Sequence, residues 1–488
     1  MKKKLTETID RKQDIKKWIL LFSQADRKGF FTFTSGHFGA LGLDEDSIYQ
    51  FFLAKGLNIK IKKLILVFFE FAIFLILAIL PIKNGIILLR TVLRYAFNSK
   101  VNALNPMTVI SLGSQEANND RYFGPLLRQL DGKFDYLKIV AGYGIRTKNF
   151  IYIETALSFF GLVYFFLGVV FLPLTSFFYL LKNIKKIKGF NLKIMYFTLG
   201  LRESYNGKVA QNQLLHRSVN CWIIRNSNVV EKILFPMEGR SWEKSIVCLM
   251  TKNKLESIGY IHCVVTPKHF SLLVPGFYKT NEIPKVIIAP SQMIKQLVQE
   301  TFAGSVIEKG YFLRGENHRN LKHLKLTNSK LLFALTGDAR ESKKIMSCIL
   351  EAGILKSHRV CVRLNPNTSS YLNLIKYAKS IGISIYTHHE EAKPAVCFFR
   401  SSSVALDYLN INVPIVYLSL GEAVTGNVFD LDGTYKCEVL NVSSDFFMDF
   451  CRIVNQSESP ISAPESKKIS SYYLDQTYNN STLKHFFN

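Results

Sequence analysis

KPAVCFFRSSSVALDYLNINVPIVYL, residues Lys393 to Leu418, carries the reading of the fold. The apolar run Ala395 to Phe399 reads as a strand, Val404 to Leu409 as the first turns of a helix, and Val413 to Leu418 as a second strand. Ser401, Ser402 and Ser403 stand between the first strand and the helix. Strand, hydroxyl loop, helix and strand make one βαβ unit, and Pro414 at the head of the last strand suits a connection out of a helix. Three seryls opening a helix bring N–H groups, hydroxyls and the positive end of the helix dipole to one point. Such a point favours an anion, most often a phosphate. An ordinary N-cap with two surplus serines is the plainer reading of the same residues.

Immediately upstream the same alternation recurs. Lys330 to Leu335 reads as a strand, Thr336-Gly337-Asp338 as a turn and Ala339 to Ala352 as a helix. Arg359 to Leu364 is a strand entering Asn365-Pro366, followed by a helix at Tyr371 to Ile381 and a strand at Ile383 to Tyr386. The polar, basic stretch Arg314 to Ser329 has no clear period and reads as a linker. Before it lie a strand at Pro284 to Pro290, Ser291 as a cap, a helix at Gln292 to Glu300 and a strand at Ser305 to Leu313. Earlier still, Thr108 to Ser114, a helix-like Tyr122 to Leu130 and Tyr136 to Ala141 form another βαβ pattern, and a strand-like run falls at Lys193 to Thr198. Cys221 to Arg225 and Glu231 to Phe235 bracket a loop or hairpin. The expected fold is therefore α/β, with two Rossmann-like domains facing a cleft. The expected divisions are 1–315 for the first domain, 316–329 for the linker, 330–456 for the second domain and 457–488 for a tail that either packs back on the first domain or is disordered.

A chain of 488 residues with 62 Lys plus Arg against 37 Asp plus Glu, a net +25, carries a positive field that attracts anionic lipid, polyanionic metabolites or nucleic acid. The lysines cluster beside apolar runs and no zinc-finger or RNP-type pattern occurs, which argues against nucleic acid. Eight cysteines with no CxxC pair point to reduced thiols in the cytoplasm. The basic start of the chain has no apolar segment directly behind it, so it does not read as a secretory signal.

Two blocks, Leu64 to Ile82 and Ala156 to Leu181, are long enough to span a bilayer. Each contains a proline, Pro81 or Pro173, and each is flanked by positive charge on both sides, whereas a simple crossing shows its Lys/Arg excess on one side. A single crossing by each would also separate pieces of one α/β domain. Helix-turn-helix insertions at 64–95 and 156–188 that lie in one leaflet of an anionic membrane are expected. Two ordinary transmembrane helices and a buried soluble helix are the alternatives.

Chemistry concentrates in FPMEGRSWEKSIVCLM, Phe235 to Met250. The apolar run ends at Pro236, Glu238-Gly239-Arg240 forms a turn, and Ser241 caps a helix carrying Trp242, Ile246, Val247 and Met250 inward. Glu238 and Arg240 then stand at a strand-to-helix mouth, where α/β proteins place chemistry. The plain alternative is a solvated loop carboxylate or an Arg240 ion pair. His262, in an apolar run beside Cys263, reads as a packed core residue.

These residues together resemble the two-Rossmann (GT-B) glycosyltransferases of bacterial surface-polysaccharide synthesis. EGRSWEK looks like the EGxxWE stretch of surface-carbohydrate transferases, and the strand-SSS-helix unit is similar to the serine motif of GT-B sialyltransferases. The likeness covers roughly Leu192 to Leu418, with Val109 to Ala141 as a first strand pair. Where those sialyltransferases carry His-Pro, this chain has Asn365-Pro366, which leaves the donor nucleotide open. The resemblance implies a nucleotide sugar as donor substrate, no cofactor and no metal. It places the donor against Thr336, Arg363, Asn365, Arg400, Ser401, Ser402 and Ser403. Glu238 is the expected general base with Arg240 orienting it, and its pKa would have to be raised for that role. A lipid-linked or glycan acceptor, an anionic membrane surface as partner and the cytoplasmic face of the cell membrane complete the expectation. A teichoic-acid-type polyol-phosphate transferase using His388-His389, and a non-catalytic membrane scaffold, are the other readings.

Overall fold

Short runs such as KILFP and VIIA are apolar along almost their whole length, the pattern of strands covered on both faces, and in the computed structural model they form two wholly parallel sheets. The structure describes residues 86–87, 102–111, 123, 133–139, 151–185, 208–267, 269–310, 325–365, 371–386, 392–400, 402, 404–421, 425–442, 445–456, 466, 468–469 and 472–473. The first apolar block, the run at Lys193 to Thr198, the helix expected at Tyr122 to Leu130 apart from Phe123, His388-His389, Ser401 and Ser403 lie outside the described residues.

The first sheet contains β1 (Met107–Ser111), β2 (Asp135–Lys138), β3 (Lys232–Pro236), β4 (Glu256–Tyr260), β5 (Val286–Ala289) and β6 (Val306–Lys309), ordered β2-β1-β3-β4-β5-β6. The second contains β7 (Lys325–Ala334), β8 (Arg359–Arg363), β9 (Ser384–Ile385), β10 (Ala392–Phe399), β11 (Ile415–Ser419) and β12 (Glu438–Asn441), ordered β12-β11-β10-β7-β8-β9. Strand order reverses between β1 and β3 in the first sheet and between β7 and β10 in the second. Such switch points leave a crevice at the carboxyl ends of the strands.

Helices connect the strands: α1 (Phe159–Ile184), α2 (Lys208–Arg225), α3 (Ser241–Lys252), α4 (Phe270–Leu273), α5 (Gln292–Val298), α6 (Ala339–Glu351), α7 (Tyr371–Ser380), α8 (Val404–Asn410) and α9 (Phe446–Gln456). Their ends follow ordinary capping. Ser291 accepts from the Ile294 N–H at 3.2 Å, and Asp338 accepts from the Arg340 and Glu341 N–H groups at 2.7 and 3.2 Å.

Four expectations change. Cys221 to Arg225 is the last turn of α2 and not half of a hairpin, because Leu214, Leu215, Val219, Trp222 and Ile223 recur at helical spacing and are buried. The linker ends earlier, since β7 begins at Lys325 and pairs with β10 from Ala392 onward. The second apolar block is one continuous helix through Pro173, where a helix-turn-helix was expected; a proline removes one N–H and kinks a helix without having to end it. Arg240, not Ser241, is the N-cap of α3.

Among the described residues no helix is long and apolar enough to cross a membrane. α1 is capped by Ser158, whose hydroxyl accepts from the Gly161 N–H at 3.0 Å, and it packs along α2. The described tail residues belong with the second sheet: Tyr473 is buried against Phe429 at 5.0 Å between ring centroids and donates to Asp432 at 2.9 Å, and Ser466 donates to Asn412 at 2.9 Å.

Candidate active site

The turn between β3 and α3 is built by its own sequence. Gly239 has φ +85°, and a Cβ there would lie 2.3 Å from the Ser271 Oγ and 2.9 Å from the Tyr278 hydroxyl, so only glycine fits. Glu243, in the first turn of α3, reaches back so that one carboxyl oxygen accepts from the N–H groups of Glu238, Gly239 and Arg240 at 2.9, 2.7 and 3.0 Å, and burial pushes this carboxyl up to about 8. Ser271 donates to the Glu238 carbonyl at 3.1 Å. Trp242 packs edge-on to Phe235, and Lys244 lies buried over the rings of Phe277 and Tyr278 while pairing with Glu282 at 3.3 Å. The residues of EGRSWEK thus hold one another, and what they hold is the Glu238 side chain.

Glu238 is buried and engaged on both oxygens. One receives the Arg240 guanidinium, and the other lies 2.7 Å from Nε2 of His262. Burial alone would raise this carboxyl, but Arg240 and His262 outweigh it and hold Glu238 well below the usual carboxylate range. The direction is opposite to the one a carboxylate base needs. His269 stands in the same cluster; the Thr266 N–H donates to its Nδ1 at 2.9 Å, and burial holds the ring below the ordinary imidazole value.

Local sequence gave no reason to join His262 to Glu238, yet the sheet register does. Pro236 on β3 pairs with Tyr260 on β4, so Glu238 and His262 each stand two residues past a paired position on adjacent parallel strands. The cluster therefore sits at the carboxyl edge of the first sheet, one strand from its switch point. His262 is buried as expected, and it is also a site residue.

At the second sheet the order β10-β7-β8 makes the carboxyl ends of three adjacent strands neighbours. They bring together Thr336 after β7, Arg363 and Asn365 at and after β8, and Arg400 and Ser402 after β10. Thr336 Oγ1 accepts from the Asp338 N–H at 3.0 Å, the Asn365 amide lies against Gly337, and the Ser402 hydroxyl is half-buried at the head of α8. Arg400 does not fit the role of a phosphate ligand. Its guanidinium is buried, meets the Glu341 carboxylate twice at 2.9 and 3.2 Å, and donates to the Tyr417 hydroxyl at 2.6 Å and the Leu418 carbonyl at 3.2 Å. It ties β10, α6 and β11 together beneath the loop. Among the described residues no group of His, Cys, Asp and Glu has the geometry of a metal site.

No family model matches the chain, and no curated protein matches it. Solved structures of similar course include the UDP-N-acetylglucosamine 2-epimerase of Rickettsia bellii, at 12% identity over 76% of this chain and 94% of that one, TM-score 0.42. The UDP-GlcNAc 2-epimerase of Neisseria meningitidis bound to UDP-GlcNAc matches at 10% identity over 76% and 95%, TM-score 0.40. UGT89C1 of Arabidopsis thaliana matches at 10% identity over 75% and 85%, TM-score 0.40.

Proposed function

We propose that the chain is a membrane-associated glycosyltransferase of the two-Rossmann type, moving a sugar from a nucleotide donor to a lipid-linked acceptor of surface-polysaccharide synthesis at the cytoplasmic face of the cell membrane. The observation that carries the reading is the buried Glu238–Arg240–His262 group at the carboxyl edge of the first sheet, beside a switch point. A structural ion pair does not need a glycine locked at positive φ, a Glu243 carboxyl oxygen stapling three N–H groups and a histidine from the adjacent strand.

The donor binds at the switch point of the second sheet, where Thr336, Asn365 and the serine loop supply hydrogen bonds to the phosphates and Arg363 supplies charge. The acceptor hydroxyl binds at the first sheet. Its oxygen forms a bond to the anomeric carbon as the carbon–oxygen bond to the nucleotide phosphate breaks, and the nucleotide leaves with that electron pair. The hydroxyl proton passes to the Glu238–His262 pair. Because Arg240 keeps Glu238 acidic, the imidazole of His262 is the group that takes the proton in this reading, with the carboxylate orienting it and stabilising its charged form.

Thermal shift of the full chain in detergent against CMP, CDP, UDP, GDP and CDP-glycerol tests the donor site, since a ligand of the native state raises the melting temperature. One nucleotide is expected to stabilise the protein, with the shift reduced in Ser402→Ala. With the matching sugar donor, Glu238→Gln and His262→Gln should each lower transfer by about 100-fold or more while keeping the nucleotide shift. Failure of every nucleotide at millimolar concentration overturns the transferase reading. Losses below about tenfold in both variants overturn the proton-transfer role.

A further inference from the structure

We propose that the outward face of α1 lies in the headgroup and upper acyl region of an anionic bilayer, and that its C-terminal half brings that bilayer to the sheet edge where Glu238 and His262 stand. The inference rests on the reading above only for the acceptor that the bilayer would deliver.

The two flanks of α1 differ. Phe165 and Val169 are buried toward α2, whereas Phe160, Tyr164, Leu167, Phe171 and Phe178, spaced by 4, 3, 4 and 7 residues, form an exposed stripe with Phe159 beside it. Phe159, Phe160 and Phe178 are 75%, 71% and 69% exposed. Exposed apolar side chains recurring on one helix face mark an interaction site. The charge of the helix selects its occupant. α1 contains no acidic residue, its last turn carries Lys182, exposed Lys185 follows, and Lys186 and Lys188 come next in sequence. Apolar rings with lysines at one end match an anionic lipid interface, where rings enter the acyl boundary and ammonium groups meet phosphates.

The direction of α1 follows from its contacts. A Cβ on Gly161 would lie 2.9 Å from Cys221 Sγ, the Arg217 guanidinium lies 5.5 Å from the centre of the Tyr164 ring, and Gly168 faces Gln213. These pairs make α1 antiparallel to α2. α2 ends at the amino edge of the first sheet: Trp222 donates to Thr108 near the start of β1 at 3.2 Å, and Asn226 accepts from the Ala103 N–H at 2.8 Å. Its earlier turns approach the carboxyl edge, with His216 bonded to Ser245 just inside α3. α1 therefore climbs toward the carboxyl edge. It draws level with the start of α2 near Pro173, and its last eleven residues, about 16 Å of helix, follow. Phe178, Leu181 and Lys182 lie on that segment, and all three are exposed.

The test is co-sedimentation of the full chain with vesicles of phosphatidylethanolamine and phosphatidylglycerol, and with phosphatidylcholine vesicles, for wild type and for Phe160→Ser/Leu167→Ser/Phe178→Ser. All three sites are exposed, and a cooperative thermal unfolding transition at the wild-type temperature reports that the variant is folded. Wild type is expected to sediment with the anionic vesicles and less with phosphatidylcholine, and the variant to lose about tenfold or more in partitioning. Wild type remaining in the supernatant with both vesicles, or the folded variant sedimenting like wild type, overturns the inference. So does a lipid-independent dimer that the same substitutions dissociate without any vesicle binding, because the stripe then covers a second copy. Vesicle binding lost in the variant while no nucleotide shifts wild type leaves the membrane inference standing and removes the transferase reading.

Discussion

Replacing Lys244 by methionine tests whether EGRSWEK is the self-supporting frame that its contacts describe. Methionine keeps most of the aliphatic stem against Phe277 and Tyr278 but removes the ammonium, which lies 4.2 and 4.5 Å from those ring centres and 3.3 Å from Glu282 Oε2. Both side chains of the ion pair are almost inaccessible, at 5% and 4% exposure, so the loss strands a carboxylate that water cannot reach. Breaking such a buried pair from one side costs about 3–5 kcal/mol. Glu282 retains the Lys279 N–H at 3.2 Å and the Lys279 ammonium at 3.9 Å, so the lower end, about 3 kcal/mol, is expected. Adding Glu282→Gln removes the stranded charge and should restore about 2 kcal/mol, a positive coupling in a double-mutant cycle. Urea unfolding followed by tryptophan fluorescence measures both, with Trp222 and Trp242 in the first unit as reporters. A single-variant cost under about 1 kcal/mol, or a double variant no more stable than the single, would refute the reasoning that Lys244 neutralises a buried Glu282.

Glu238→Gln should flatten the acid side of the stability curve. A carboxyl held below its ordinary value stabilises the folded state above that value, so wild type should lose its advantage as the pH falls below 4.5, which unfolding at stepped pH would reveal. His216, which burial lowers to about 4, should make wild type lose stability as the pH falls from 6.5 to 4; in His216→Gln that slope should become shallower while the share from His269 remains, and an unchanged slope assigns it elsewhere. Gly239→Ala should cost about 2 kcal/mol or more from positive φ and overlap with Ser271, with loss of transfer exceeding loss of stability; full activity would show that the turn yields. Arg400→Met should destabilise the second unit by about 3 kcal/mol and also abolish the nucleotide shift only if the unit unfolds, whereas a stable variant that no longer binds would return Arg400 to the phosphate site.

Most strands and helices were legible because their signals are local. The runs around β10, α8 and β11, the Ser291 cap, the turn at Thr336 to Asp338 and the Gly239 turn depend on a few adjacent side chains, and the structure keeps all of them. α2 was misread at Cys221 to Arg225 because five residues of a helix, taken alone, cannot be told from a strand by period. Partners distant in sequence were not legible at all. Arg400 looked available for phosphate until its carboxylate, Glu341, arrived from 59 residues upstream on α6. Glu238 was expected as a base with a raised pKa beside Arg240, but Arg240 together with His262, which the β3–β4 register sets beside it, holds it low instead. Adjacent side chains were enough to place most of the strands, several turns and the charged turn after β3, because backbone sterics and hydrophobic period act within a few residues. Strand order, the two switch points and the partners of each buried charge were decided only by tertiary structure, because in a parallel sheet neighbours in space are joined through crossovers and never through adjacent sequence.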